Sequence, residues 1–220
     1  MGKEGTLREA FGAWLARGGN RIGEVAIRRS DSWEGYVLTH WEETDRASLP
    51  LKHFSTPGDA RLLAQLDDAG RYRPLKTAPN LRHGWLLELK TLDELYSALD
   101  FFYPAALGVG AAFADHRLPV VPLRETLDRQ SGMYAVTRKI SDAKADMVVE
   151  ACCSSQGGCL KTILWELKPG HPFAGLPPEK FDPDRDQLAA EAGQNAFPLL
   201  CNEACNLLVA AIRKAVKKTE

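Results

Sequence analysis

The sequence predicts an α+β protein in two parts: an N-terminal helix, a β-hairpin and a mixed α/β layer, followed by a mostly helical domain. Three observations carry this reading. Two segments combine a capping box with apolar residues at helical spacing, two β-branched runs are joined by a short turn, and all five cysteines lie beyond residue 151. A chain of 220 residues holds one domain or two small ones. The boundary is expected in ADHRLPVVP, between Ala114 and Pro122, giving domains over residues 1–118 and 119–220.

The first helix is marked by Thr6 with Glu9 as a capping box and by Gly18-Gly19 as its end. Leu7, Ala10, Phe11, Trp14 and Leu15 repeat at helical spacing. GEVAIRRS (Gly23 to Ser30) and GYVLTHWEE (Gly35 to Glu43), joined by DSWE, predict a hairpin. TPGDARLLAQLDDAG (Thr56 to Gly70) opens on threonine and proline and closes on glycine, so it reads as helix. GWLLELK (Gly84 to Lys90) reads as a buried strand. TLDELYSALDFFYP (Thr91 to Pro104) reads as a helix with the second capping box, Thr91 and Glu94. A further helix is expected through PLRETLDRQSGMYAVTRKIS (Pro122 to Ser141), weakened at Gly132. ADMVVEAC (Ala145 to Cys152) fits a strand or a helix end. LKTILWEL (Leu160 to Leu167) reads as a short helix with Leu160, Ile163, Leu164 and Leu167 on one face. The proline-rich stretch from Lys168 to Asp184 cannot form a long regular element. The last helix is expected from near Pro198 to about Lys218.

Composition excludes several classes. The net charge of −1 indicates neither a broad nucleic-acid footprint nor a membrane-surface one. The basic tail IRKAVKK reads as cations near a helix C-terminus. The N-terminus is charged and amphipathic, without an apolar core or a small-residue cleavage site, so secretion is not expected. No apolar run reaches transmembrane length. The expected compartment is the cytoplasm, where thiols stay reduced and an odd, clustered cysteine set fits a disulfide framework poorly.

The cysteines form two patches, CCSSQGGC (Cys152, Cys153, Cys159) and CNEAC (Cys201, Cys205). If the last helix starts at Pro198, Cys201 and Cys205 share one face with Leu208 and Ile212 and point at the interior. Either alone would read as a small core residue. The first patch changes that. Gly157 and Gly158 permit a tight loop, and Cys159 would sit at a helix start, where the N-terminus favours a thiolate or an anionic cluster. One of Cys152 and Cys153, together with Cys159, Cys201 and Cys205, makes four soft ligands suited to zinc or an iron–sulfur cluster. Structural zinc favours two short pairs. Here the first pair is separated by five or six residues and the second is expected on a helix, which suits a larger object than one ion. The spacing is not that of a bacterial ferredoxin run either.

RYRPLKTAPNLRHGW (Arg71 to Trp85) is basic, with no acid between Gly70 and Glu88. Its first reading is a solvated connection whose cations pair with local acids such as Asp67 and Asp68. Its second is a rigid clamp for carboxylates or phosphates, using Arg73, Lys76 and Arg82. The histidines His40, His53, His83 and His116 are scattered and far in sequence from the cysteines. His171, in the proline-rich loop, reads as solvated or loop-bracing.

Taken together, YRPLKTAPNLRHGW, YPAALG, RQSGMYAVT, CCSSQGGCLKTILW and CNEACNLLV resemble the accessory region of a subset of bacterial sirohydrochlorin cobaltochelatases. In that family a chelatase domain is joined to a small stabilising domain and a [4Fe-4S] cluster-binding domain. The resemblance runs from about Tyr72 to about Val216. It implies a [4Fe-4S] cluster on Cys159, Cys201, Cys205 and one of Cys152 and Cys153, with Cys153 preferred. It also implies a role in cobalamin or related tetrapyrrole synthesis. Residues 1 to about 70 are too short to be the chelatase fold, so no metal-insertion residues are carried over. The chain would then act in trans, with a separate chelatase or another tetrapyrrole-pathway enzyme as partner, and possible electron exchange with a redox donor. Arg73, Lys76 and Arg82 become candidates to contact a carboxylate-rich tetrapyrrole. Two other classes stay open: an interaction module with structural zinc and no redox role, and an enzyme using Cys159 as nucleophile.

Overall fold

The computed structural model describes residues 4–44, 50–64, 81–129, 135–153, 159–175 and 195–218. The chain divides into two compact units, one of Met1–Ala111 with Ala189–Pro198 and one of Ala112–Leu188 with Leu199–Glu220. The fold is α+β, as expected.

The first unit is built on a six-stranded sheet. Its strands are β1 (Arg21–Ile22), β2 (Val25–Arg29), β3 (Tyr36–His40), β4 (Lys52–Phe54), β5 (Trp85–Leu89) and β9 (Ala196–Phe197), in the order β4-β5-β3-β2-β1-β9. The expected hairpin is present, with β2 and β3 antiparallel and Ile27 opposite Leu38. β3 is also antiparallel to β5, with Leu38 opposite Leu87. The outer pairs, β4 with β5 and β1 with β9, are parallel. β3 is buried at every residue, the pattern of an inner strand covered on both faces. β5 buries Trp85, Leu87 and Leu89 and half-exposes Leu86 and Glu88, the period-two alternation of a strand. The short strands β1, β4 and β9 had no sequence signal. β9 is added by chain that returns from far along the sequence.

Helices cover this sheet. α1 (Glu4–Ala16) already contains Thr6 and Glu9, so the capping box expected there does not open it, while α3 (Leu92–Phe102) lies where expected. Thr91 caps α3 by accepting from the Glu94 amide at 3.1 Å, while the Glu94 carboxylate accepts from the Lys90 amide at 2.6 Å. The capping box is therefore formed one residue wide of the ideal. α3 packs on β5, where the Trp85 and Phe102 rings stack at 5.5 Å. Phe11, Trp14 and Phe197 form an aromatic cluster that fastens α1 to β9. The TPGDARLL segment is a 3-10 turn (Pro57–Asp59) leading into a short α2 (Ala60–Leu63), and the rest of that expected helix, from Gln65, lies outside the described residues. α4 (Ala106–Ala114) follows α3 through Ala105, which adopts φ +61° and whose amide donates to Asp100 Oδ1 at 2.9 Å.

The second unit is a helical core threaded by one extended segment. α5 (Leu123–Arg129) and a 3-10 helix (Ala135–Lys139) take the place of the single helix expected over Pro122 to Ser141. ADMVVEAC, which the periodicity left open, is the body of α6 (Asp142–Cys153). LKTILWEL is not a helix. It forms β7 (Thr162–Ile163) and β8 (Trp165–Glu166), which pair in parallel with β10 (Leu200–Cys201) and β6 (Val121–Pro122) respectively. Its apolar residues fit either period, and pairing with two distant stretches of chain satisfies its backbone as strand. The last helix, α7 (Asn206–Lys217), begins eight residues later than expected from Pro198, because Leu200 and Cys201 are taken into β10. α6 packs against α7 through Val149, Leu208 and Ile212, all buried. Asp142, in the first turn of α6, pairs with Arg124 and at 3.2 Å with Lys168. These charge-assisted bonds hold the Asp142 carboxyl below the usual carboxylate range.

Candidate metal centre

All five cysteines belong to the second unit; Cys153 is in its core, Cys152, Cys201 and Cys205 pack against that core, and Cys159 is buried. Cys152 and Cys153 close α6. Consecutive helical residues are about 100° apart around the axis, so the two thiols diverge. Cys153 is buried in the core and Cys152 is half-buried at its margin. Cys159 is buried in the extended chain that leads to β7. It does not start a helix, contrary to expectation, because LKTILWEL is strand. The helix N-terminus that suggested a nucleophilic Cys159 is thus not there.

Cys201 ends β10, beside Ile163 of β7. Cys205 stands at the N-cap of α7, its sulfur accepting from the Leu208 amide at 3.5 Å. The two do not share a helix face, because the helix starts only at Asn206. They form instead a Cys-x3-Cys turn that joins a strand to a helix. That spacing is also found in structural zinc pairs, so the expected argument against zinc from a helical second pair does not hold.

The thiols lie close enough to act on one another electrostatically. Cys153 senses Cys159, Cys201, Cys205 and Cys152, while Cys152 senses Cys205 and Cys159. Burial, reinforced by those neighbours, pushes the Cys153 thiol far above its ordinary range. Burial raises Cys152 and Cys201 as well. Such groups stay protonated unless a cation offsets the concentrated negative charge, and metal binding would do this with release of protons. Two N–H groups already point at sulfur. One is the Leu208 amide and the other the indole Nε1 of Trp165, which donates to Cys201 Sγ at 3.4 Å. Trp165 is itself buried and set edge-on to Phe173 at 5.2 Å. Its role was not legible in the sequence, since it depends on β8 being a strand. The donor set of four or more thiols, with N–H donors behind two of them, fits an iron–sulfur cluster.

The other expected site residues fall elsewhere. Arg73 and Lys76 lie outside the described residues. Arg82 is exposed in the first unit, and its carbonyl accepts from the Trp85 indole. His171 is exposed in a turn after β8, where its backbone amide donates to the Lys168 carbonyl at 2.8 Å. Among the described residues no helix is long and apolar enough to cross a membrane.

An α+β layer followed by a helical unit with cysteines gathered at its core is the arrangement of a metal-cluster protein with a supporting domain. Comparison with known proteins agrees. Residues 115–214 match the family model of a 4Fe-4S iron–sulfur cluster binding domain, and residues 7–112 match that of the DR2241 stabilising domain. The two matches stand in tandem and together span most of the chain. A solved structure, DR2241 from Deinococcus radiodurans, is similar over 96% of this chain with 30% identity and a TM-score of 0.71. That protein is described as multi-domain, with structural similarity to chelatases and two additional novel domains, and the chain spans 41% of its length. No curated protein matches the sequence.

Proposed function

We propose that the chain binds a [4Fe-4S] cluster through Cys153, Cys159, Cys201 and Cys205 and serves as an accessory factor in cobalamin or related tetrapyrrole synthesis, in the cytoplasm. The observation that carries the cluster is the coincidence of the 115–214 family match with four thiols at one core and the buried Cys159 within their electrostatic reach. Cys153 is favoured over Cys152 because it is buried in the core, whereas Cys152 is half-buried at its margin. When bound, the cluster would supply one-electron chemistry or a cross-link between the end of α6 and the start of α7. The chain's own contribution is to hold four sulfurs from separate segments and to direct the Trp165 and Leu208 N–H groups at two of them.

The pathway rests on the resemblance and on the chelatase-like character of the similar protein from Deinococcus radiodurans. In this reading a separate chelatase or tetrapyrrole-pathway enzyme is the partner, and Arg73, Lys76 and Arg82 guide a carboxylate-rich tetrapyrrole. Anaerobic purification tests the cluster. A brown protein with about four irons per chain, matching sulfide and a reducible signal is expected. A colourless protein with one zinc would support the second reading, a structural zinc module, which the Cys201–Cys205 turn also permits. Cys153→Ser is expected to abolish the cluster and Cys152→Ser to spare it. Retention in both variants would sink the four-cysteine assignment. Charge removal at Arg73, Lys76 and Arg82 that left tetrapyrrole binding unchanged would defeat the guiding role.

A further inference from the structure

His40, Glu42 and His83 are 43 residues apart end to end in sequence, yet their ligand atoms all lie within 4.8 Å of one another. They belong to the first unit. His40 is the last residue of β3, Glu42 is in the 3-10 turn that follows, and His83 precedes β5. The antiparallel pairing of β3 with β5 brings the two ends together. The imidazole centroids are 4.0 Å apart, and His83 Nε2 lies 3.0 Å from Glu42 Oε2.

The backbone around this cluster is held by buried groups. Glu43, 4% exposed, accepts from the Gly84 amide with both carboxylate oxygens at 2.9 Å, and the Gly84 carbonyl accepts from Lys52 at 2.9 Å. Gly84 itself has φ +81°, a conformation that side chains rarely adopt. The loop that presents His83 is therefore fixed from two sides. His40 is 2% exposed, while the side chains of His83 and Glu42 are about half exposed, so the cluster opens to solvent on one side. Two imidazoles in contact beside a carboxylate bring two nitrogen donors and an oxygen donor to one point, a good arrangement around a cation.

We propose that His40, Glu42 and His83 bind one divalent transition-metal ion, of the class of zinc, nickel or cobalt, independently of the cysteines. Two nitrogens and a carboxylate oxygen suit such ions better than calcium or magnesium, which take oxygen ligands. Three protein ligands leave coordination open toward solvent. His40 Nδ1 accepts from the Glu42 amide at 3.3 Å, a long bond that ligation through either ring nitrogen would give up.

The test is titration of the full chain with Co2+ and Zn2+ under anaerobic conditions. One equivalent is expected with the weak visible bands of nitrogen and oxygen ligation, separate from the intense sulfur-to-cobalt charge transfer of any ion on the thiols. His83→Ala and Glu42→Gln, both at exposed side chains, should each weaken that equivalent at least about tenfold. Cys205→Ser should leave it unchanged. Binding in His83→Ala equal to that of the parent chain, or cobalt spectra showing only sulfur ligation, would overturn the proposal whatever the outcome for the cluster.

Discussion

The two units solve the same packing problem with different materials. The first closes its core with strand alternation and rings: Leu38 and Leu87 across neighbouring strands, Trp85 against Phe102, Phe11 against Phe197. The second has an apolar core of comparable kind around Val149, Ile163 and Leu208, but one end of it is made of thiols. Apolar groups are stabilised simply by leaving water. Buried thiols pack as small apolar groups while protonated, but as thiolates they need a cation to offset their charge. The first unit should therefore keep its stability without any cofactor, and the second should gain stability from one.

The largest effect is expected from separating the units by their chemistry. Cys159→Ser, Cys201→Ser or Cys205→Ser should each remove all cluster iron and lower amide-exchange protection in α6 and α7, while leaving β2, β3 and β5 protected. Loss of protection in both units alike would break the comparison. The converse change, Leu87→Ala, removes a fully buried side chain from the sheet and should cost about 2–5 kcal/mol by denaturant unfolding of the first unit. Iron content per folded chain should not move. A smaller effect is expected from Trp165→Phe, which keeps a ring against Phe173 but deletes the N–H donated to Cys201. Iron content should be retained and the cluster potential should fall by tens of millivolts, because a donor to sulfur favours the more reduced, more negative state. Voltammetry of the two proteins measures this.

The smallest effect concerns Asp142, whose side chain is about half exposed in its ion pairs with Arg124 and Lys168. Its carboxyl is held below the usual range, so its stabilising contribution is present above the unfolded pKa of about 3.9 and is lost as pH falls through the lower folded value. Asp142→Asn should accordingly lower Tm slightly near neutral pH, and the difference from the parent chain should vanish in acid.

Local signals were legible where local physics decides. Thr91 with Glu94 announced α3, the β2–β3 hairpin followed from two β-branched runs around a turn, and the alternation of Trp85, Leu87 and Leu89 marked β5. The helix expected in LKTILWEL failed because Ile163, Leu164 and Trp165 are all buried, and an apolar run buried on every side carries no period. The start of α7 was misplaced for a related reason. Pro198 and the Cys201–Cys205 spacing fit a helix opening, but the Leu164 amide donates to the Cys201 carbonyl at 2.8 Å and draws that residue into a ribbon.

By itself the sequence determined the α+β class, the concentration of thiols in the last third and hence a supply of soft donors. Residue type fixes donor chemistry wherever the chain goes. Only the tertiary structure decided that Cys201 ends a strand, that Cys205 caps a helix, that Trp165 donates to sulfur and that His40 meets His83. Each of those depends on pairing between segments tens of residues apart, which no local spacing encodes.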